Sequence, residues 1–266
     1  MRLSPGTRAL VTGASRGIGR ALAERLARRG ATVGLLARST RELEALADAL
    51  PGSHVVLGDT DVGDRAQVEG AVARFIEQAG GVDLLIVNAG LTHYEPVAEQ
   101  SIEHIEEMTR VNWLGTVYTV KAALPHLLRQ GHGHVVVVSS GAGLRSFPQA
   151  AVYGATKAAQ RMFAEALRHE LSGTGVSLTT VFPGEIATSL HDHEKDRMPA
   201  WYRGGPGAVP TRVLADKVLS AVEQDARFLH HPPLVRLLGT VNGISPRAAD
   251  AMLRRMRGPS AAPRTD

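Results

Sequence analysis

A tyrosine and a lysine stand four positions apart in the stretch YGATK, residues 153–157. On a helix, Tyr153 and Lys157 would share one face, one turn apart. The phenol of an ordinary tyrosine has a pKa near 10, so it transfers protons poorly at neutral pH unless its phenolate is stabilised. A cation one turn away lowers that pKa. The pair therefore predicts a tyrosine that acts as a general acid or base, with Lys157 lowering its pKa.

A glycine-rich stretch, residues 12–19 with the sequence TGASRGIG, separates an apolar run from an amphipathic helical pattern. Glycine lets the backbone turn sharply and approach a pyrophosphate, whose charge the N-terminus of the following helix stabilises. A glycine-rich turn without a ligand is the alternative, but the strand–turn–helix context favours dinucleotide binding. The predicted contacts of this loop are Gly13, Ser15, Arg16, Gly17, Ile18 and Gly19.

The residue that follows the second predicted strand bears on the choice of dinucleotide. A fold that binds NAD usually has an acid here, against the ribose 2′-hydroxyl. This chain has Arg38 in the stretch LLARS and no acid. A guanidinium suits a 2′-phosphate, and Arg16 in the glycine-rich loop would assist it. We therefore expect NADP(H) rather than NAD(H), although an ordinary solvated arginine is the alternative for Arg38.

Further motifs lie between and beyond these two. They are Asn88-Ala89-Gly90, Asn112, Pro183-Gly184, and Ser140 thirteen positions before Tyr153. Together with TGASRGIG and YGATK, in this order and spacing, they resemble the short-chain dehydrogenase/reductase family from about residue 6 to residue 225. Each motif alone is weak, whereas the combination is specific. Ser140 does not lie in a Gly-x-Ser-x-Gly turn, which argues against a hydrolase nucleophile.

The resemblance implies four catalytic residues. Tyr153 would be the general acid in reduction and the general base in oxidation. Lys157 would lower the pKa of Tyr153 and hydrogen-bond the nicotinamide ribose, while Ser140 would hold and polarise the substrate carbonyl. Asn112 would support a water that links Lys157 to solvent. Two alternatives stay open, because Ser139 adjoins Ser140 and Asn112 could simply bend its helix.

The resemblance also implies the rest of the cofactor site. Asp61 and Val62 would lie at the adenine, Asn88, Ala89 and Gly90 would line the cofactor, and the stretch PGEIAT would border the nicotinamide. Asn88 could instead be a turn residue at a strand end. The nicotinamide contacts implied within PGEIAT are Pro183, Gly184, Ile186 and Thr188.

Elements that could position these residues alternate along the chain. The predicted strands are Arg8–Thr12, Thr32–Ala37, His54–Leu57, Val82–Asn88, His134–Ser139 and Val176–Phe182. The predicted helices are Gly17–Arg29, Ser39–Leu50, Arg65–Ala79, Ile102–Gln130, Tyr153–Leu171 and Arg212–Glu223. Continuous apolar strands that alternate with helices predict an α/β fold: one doubly wound parallel sheet with helices on both faces.

This pattern predicts a single catalytic and cofactor-binding domain over residues 1–227. Within this domain, residues 189–210 interrupt the alternation of strands and helices and are interpreted as a substrate lid. Residues 228–266 are predicted to form an extension with a basic helix and a disordered tail. The Arg254-Arg255-Met256-Arg257 run could contact anionic phospholipid, with a solvated helix end as the alternative.

Apolar side chains are expected to form the substrate pocket beside Ser140. The candidates are Tyr94, Leu144, Phe147, Leu190 and Trp201. They favour an apolar ketone or secondary alcohol, lipid-like or steroid-like. Two further classes stay open: a cofactor-binding regulatory or scaffold protein without turnover, and a peripheral membrane-binding module.

Composition excludes several chemistries. The chain has no cysteine among its 266 residues, which excludes disulfides, thiolate zinc sites and iron–sulfur clusters. The adjacent residues 191–194, HDHE, cannot all face one ion, so we expect no metal.

The net charge of +4 comes from interleaved charges, and no nucleic-acid partner is expected. The N-terminal residues show no signal-peptide pattern, so a cytoplasmic protein is expected. The resemblance implies a homodimer or homotetramer.

Overall fold

The computed structural model describes residues 1–188, 190 and 208–257. Its central sheet is built from strands β1 to β6 and β9, in the order β3-β2-β1-β4-β5-β6-β9, with every neighbouring pair parallel. The strands are β1 (Arg8–Thr12), β2 (Thr32–Leu36), β3 (Val55–Leu57), β4 (Leu84–Val87), β5 (Gly133–Val138), β6 (Val176–Pro183), β7 (Ile186–Ala187), β8 (Val209–Pro210) and β9 (Phe228–His231). The short strands β7 and β8 pair with each other.

Helices cover both faces of the sheet. They are α1 (Gly17–Ala27), α2 (Thr40–Ala49), α3 (Arg65–Ala79), α4 (Ile102–Met108), α5 (Gly115–Gln130), α6 (Ala151–Glu170), α7 (Thr211–Glu223), α8 (Pro233–Ile244) and α9 (Pro246–Arg257). One buried core joins the sheet to α3, α5 and α6, and a second joins its other face to α1, α2 and α7. Successive strand residues serve opposite cores, since Leu10 packs in the first and Val11 in the second. The predicted doubly wound α/β fold is confirmed.

The long helix predicted over Ile102–Gln130 is interrupted. Between α4 and α5, residues Thr109–Leu114 form a π-helical turn. Single π turns occur mostly inside α-helices, which explains why the sequence predicted one continuous helix here. Asn112 lies in this turn and is fully buried.

The predicted boundary after residue 227 falls at the start of a strand. Phe228–His231 pairs with β6, from Thr180 opposite Phe228 to Pro183 opposite His231. The seventh strand of the sheet thus comes from the predicted extension, and α8 and α9 follow it. The basic helix predicted there is α9. The predicted tail after Gly258, residues 191–207 of the predicted lid, and Trp201 lie outside the described residues.

Candidate active site

A cavity of about 340 Å³ opens at the carboxyl edge of the sheet. Its walls come from the ends of β1, β2, β4, β5 and β6, around the point between β1 and β4 where the strand order reverses. Ligands of doubly wound folds bind at such a switch point. The cavity is lined by the predicted residues Gly13, Ser15, Arg16, Gly17, Ile18, Arg38, Asp61, Val62, Asn88, Ala89, Gly90, Ser140, Tyr153, Lys157, Pro183, Gly184, Ile186, Thr188 and Leu190.

The glycine-rich loop joins β1 to α1 with an open helix terminus. Gly13 and Gly17 have φ values of +67° and +58°, which favour glycine. No side chain caps the N-terminus of α1. Its first backbone amides therefore have no side-chain acceptor, and they face the cavity. These amides and the helix dipole can hold a pyrophosphate.

Asn88 ties this loop to the neighbouring strand. Its side-chain amide donates to the carbonyl oxygen of Thr12 at 3.0 Å. The Thr12 hydroxyl oxygen accepts hydrogen bonds from the backbone amides of Asn88 and Ala89, both at 3.0 Å. A Cβ on Gly13 would lie 3.0 Å from the Ala89 Cα, so the two strand ends meet at van der Waals distance.

Gly19 differs from the other predicted residues of this loop, because it does not line the cavity. A Cβ at this position would lie 2.1 Å from the Gly13 carbonyl oxygen and 2.6 Å from the Asn88 amide nitrogen. Gly19 is therefore required for close packing of α1 against the loop, and its contact with a cofactor stays a prediction.

The rim of the cavity near β2 carries charges of both signs. Arg38 is 64% exposed, and its guanidinium lies 4.0 Å from the Glu107 carboxylate. Glu42, in the first turn of α2, lines the same cavity. Glu42 was not predicted, because it lies on α2 rather than directly at the end of β2, where an acid is expected in a fold that binds NAD.

Tyr153 is buried at the opposite end of the cavity from the rim residues of β2. Burial raises its pKa, and a hydrogen bond with the Ser140 side chain acts in the opposite direction. Desolvation of the phenolate outweighs the opposing effect, so the net change of the Tyr153 pKa is upward. The Lys157 Nζ lies 5.9 Å from the ring centroid, and its lowering of the Tyr153 pKa stays a prediction.

Lys157 is buried beside it and donates from Nζ to the Val138 carbonyl oxygen at 3.2 Å. Burial lowers its pKa to about 8. The Ser139 hydroxyl donates its hydrogen bond to the backbone carbonyl of Lys157 at 2.8 Å, so its proton is already used within the protein. Ser140 accepts from the Ala142 amide at 3.1 Å and bonds to Tyr153, which favours Ser140 over Ser139 as the residue that meets a substrate.

Asn112 lies behind the cavity wall and does not line it. Its side chain accepts from the Leu91 amide at 2.8 Å, donates to the Leu91 carbonyl at 2.9 Å and donates to the Thr156 hydroxyl at 3.1 Å. Gly90 separates it from the cavity: a Cβ there would lie 3.1 Å from Asn112 Oδ1 and 3.4 Å from Lys157 Nζ. Asn112 thus joins the loop after β4 to α6, and its support of a water stays a prediction.

The predicted substrate residues are divided among different surroundings. Ser140 and Leu190 line the cavity, whereas Tyr94, Leu144 and Phe147 do not. The buried Tyr94 ring lies 6.0 Å from the Tyr153 ring and 5.8 Å from Phe147, so it supports Tyr153 from behind. Phe147 lines a separate groove with α9.

Several lining residues were missed by the sequence analysis. Ala37, Ser39, Thr60, Leu91 and Ser139 directly adjoin predicted residues, and Val138 lies two positions before Ser140, so proximity in sequence could have identified them. Val111 adjoins the predicted Asn112 and reaches the cavity from the π turn, although Asn112 itself does not. Among residues 1–188, 190 and 208–257 there is no group of three metal-ligating side chains and no helix long and apolar enough to span a membrane.

Comparison with known proteins identifies the family of this chain. Residues 7–199 match the family model described as short chain dehydrogenase. The chain belongs to the short-chain dehydrogenase/reductase family of oxidoreductases.

Relatives and solved structures agree with this assignment. Glycine betaine reductase ATRR of Emericella nidulans is 43% identical over 187 residues, which cover 70% of this chain but only 15% of that protein. A short-chain dehydrogenase/reductase from Burkholderia phymatum in complex with NAD has a TM-score of 0.85 at 26% identity, covering 93% of this chain and 96% of that one. Serine dehydrogenase complexed with NADP⁺ has a TM-score of 0.79 at 30% identity, covering 84% and 94%.

Proposed function

We propose that this oxidoreductase uses NADP(H) to interconvert a ketone and a secondary alcohol on an apolar, lipid-like or steroid-like substrate. One observation carries the proposal: Ser140, Tyr153 and Lys157 converge at one end of a cavity that also contains the uncapped N-terminus of α1. A proton donor and a dinucleotide cradle thus share one site.

When bound, the dihydronicotinamide supplies the hydride that reduces the carbonyl carbon. Ser140 holds the carbonyl oxygen by a hydrogen bond, and Tyr153 donates its hydroxyl proton to that oxygen. Because burial raises the Tyr153 pKa, the phenol is protonated at neutral pH and ready to act as the acid. The pKa of Lys157, about 8, keeps its ammonium group mostly charged at pH 7, where it would stabilise the phenolate left by the transfer.

Support for NADP(H) comes from the two guanidinium groups at the rim, Arg16 and Arg38, which both line the cavity. The carboxylates of Glu42 and Glu107 oppose a 2′-phosphate there. A related structure holds NAD and another holds NADP⁺, so the family supports a nicotinamide cofactor of either kind.

A titration of the full chain with NADPH and NADH, followed by intrinsic fluorescence, tests the cofactor. We expect tighter binding of NADPH, and about a tenfold or larger loss of that affinity in Arg38→Asp, because a charge-assisted hydrogen bond to phosphate is lost. Arg41→Asp is the matched control, since Arg41 is exposed on α2 and does not line the cavity.

Either of two results would contradict the proposed cofactor. Tighter binding of NADH would mean that Arg38 is a surface residue without a role in recognition. Binding of neither dinucleotide would remove the basis for the reaction itself.

The proposal also includes a cytoplasmic homodimer or homotetramer that packs through α5 and α6. Exposed apolar side chains on these helices support it, because Leu128 on α5 is 42% exposed and Met162 on α6 is 61% exposed. Burial of such side chains favours association.

A further inference from the structure

Helix α8 packs against both loops that border the reacting end of the cavity. One loop, residues 140–145, carries Ser140; the other, residues 184–185, follows β6. A Cβ on Gly141 would lie 3.2 Å from Val235 Cγ1, and a Cβ on Gly184 would lie 2.9 Å from Val235 Cγ2. One side chain of α8 therefore touches both loops, and it is itself buried.

Polar contacts reinforce this packing. The Asn242 side-chain amide donates to the Leu144 carbonyl at 3.3 Å, and the Gly184 amide donates to the His231 carbonyl at 2.8 Å. Gly239 packs against Leu144, because a Cβ there would lie 3.2 Å from that side chain. From α9, Asp250 pairs with Arg145 at the end of the first loop.

The first loop in turn fixes the Ser140 side chain. The Ala142 amide donates to Ser140 Oγ at 3.1 Å, and the Gly143 amide donates to the Ser140 carbonyl at 3.0 Å. The Leu144 and Arg145 amides both donate to the Gly141 carbonyl at 3.0 Å. A shift of the loop would therefore move the hydroxyl that bonds to Tyr153.

We infer that Val235 and Asn242 of α8 are positioning residues, which hold the Ser140 loop and the Gly184 loop in register with Tyr153. This inference rests on the proposed function for its catalytic consequence. A misplacement of about 1 Å in such a site can cost about a hundredfold in rate. The C-terminal part of the chain thus contributes to the geometry of the active site.

Amide hydrogen exchange of the full chain in the presence of NADPH tests the inference without a substrate. Asn242→Asp keeps the shape of the side chain but removes the donor to Leu144, and Val235→Ala removes the shared contact. We expect exchange of the amides in residues 142–145 to accelerate by about tenfold, the equivalent of one ordinary hydrogen bond. The His134 amide, bonded to the Asp83 carbonyl at 2.8 Å in the buried sheet and away from the cavity, is the reference and should exchange as before.

Leu237→Ala is the matched control, because Leu237 lies on the same helix with half of its side chain exposed and should leave the loop unchanged. Unchanged exchange of residues 142–145 in both Asn242→Asp and Val235→Ala would overturn the inference.

Turnover of 1-phenyl-1,2-propanedione, an apolar carbonyl probe, separates this inference from the proposed function. We expect kcat to fall about tenfold in Asn242→Asp while the Kd of NADPH stays unchanged, since the contacts lie at the carbonyl end. Wild-type turnover with unaltered kcat in both α8 variants would contradict the positioning role and leave the proposed function standing. Accelerated loop exchange in the two α8 variants, together with a wild-type protein that reduces no carbonyl, would contradict the proposed function and support the coupling of α8 to the loop.

Discussion

Tyr153 and Lys157 lie one helical turn apart, and burial acts on both by disfavouring the charged form. It raises the pKa of the phenol and lowers that of the ammonium group to about 8. At pH 7 the pair is therefore a neutral acid beside a cation. This arrangement favours proton donation to a carbonyl oxygen, because the cation stabilises the product phenolate rather than the resting phenol.

Removing the hydroxyl of Tyr153 tests its role as the acid. We expect Tyr153→Phe to bind NADPH with unchanged affinity and to lose about 10²–10⁴-fold in kcat, the usual contribution of general acid catalysis. Fluorescence titration and single-turnover reduction of a carbonyl probe measure the two quantities separately.

Tyr118→Phe is the control for this substitution, because Tyr118 packs against the core on α5 and does not line the cavity. Full turnover by Tyr153→Phe would refute the assignment. Intact NADPH binding without turnover in the wild type would instead favour a cofactor-binding regulatory or scaffold protein.

At the scale of elements, the junction between β1 and α1 depends on Gly19, which does not line the cavity. In Gly19→Ala the new Cβ would meet the Gly13 carbonyl oxygen at 2.1 Å, so α1 must move away from the loop. We expect a loss of about 1–3 kcal/mol in stability, as is usual for overpacking, and a weaker affinity for NADPH. Thermal unfolding and fluorescence titration measure the two effects.

Gly70→Ala is the matched control, because Gly70 is exposed on α3 and a Cβ there would meet nothing within 4 Å. This substitution should stabilise the protein by roughly 0.5–1 kcal/mol, since alanine is the better helix former. A Gly19→Ala protein with wild-type stability and affinity would show that α1 tolerates the displacement.

The elements that the sequence predicted well have strong local patterns. The apolar runs at Arg8–Thr12 and Gly133–Val138 and the amphipathic helix at Arg65–Ala79 are set by side-chain periodicity, which is readable without the fold. Phe228–His231 was missed because its four residues are partly exposed at the edge of the sheet and contain two histidines. Its strand character arises from pairing with β6, which is a tertiary effect.

The site residues, like the elements, were predicted where the sequence signal is local and were not where it depends on tertiary packing. Residues carried by motifs, such as Gly13, Asn88 and Tyr153, were predicted because their spacing is local and their chemistry specific. Tyr94, Leu144 and Phe147 were expected in the pocket only because they are apolar and close in sequence to it. Whether such a side chain faces a cavity or packs behind it depends on neighbours such as α8 and α9, which the sequence does not place.

At the scale of the whole molecule, the sheet buries one titratable group that serves no part of the proposed reaction. His134 is completely buried on β5, where a ring nitrogen lies 2.8 Å from the Thr179 hydroxyl. Burial lowers its pKa from 6.5 to about 4, so the ring stays neutral in the folded protein under mildly acidic conditions. The unfolded chain binds a proton at this residue once the pH falls below about 6.5.

Between pH 6.5 and 4 the unfolded state therefore holds more protons than the native state, and stability falls as the pH falls. By linkage, His134 alone costs about 2 kcal/mol on going from pH 7 to pH 5. In His134→Gln this contribution disappears, so we expect a smaller loss of stability between these pH values, measured by urea unfolding. His132→Gln is the control, because that side chain is 61% exposed. An equal loss in wild type and His134→Gln would mean that groups elsewhere in the molecule govern its acid sensitivity.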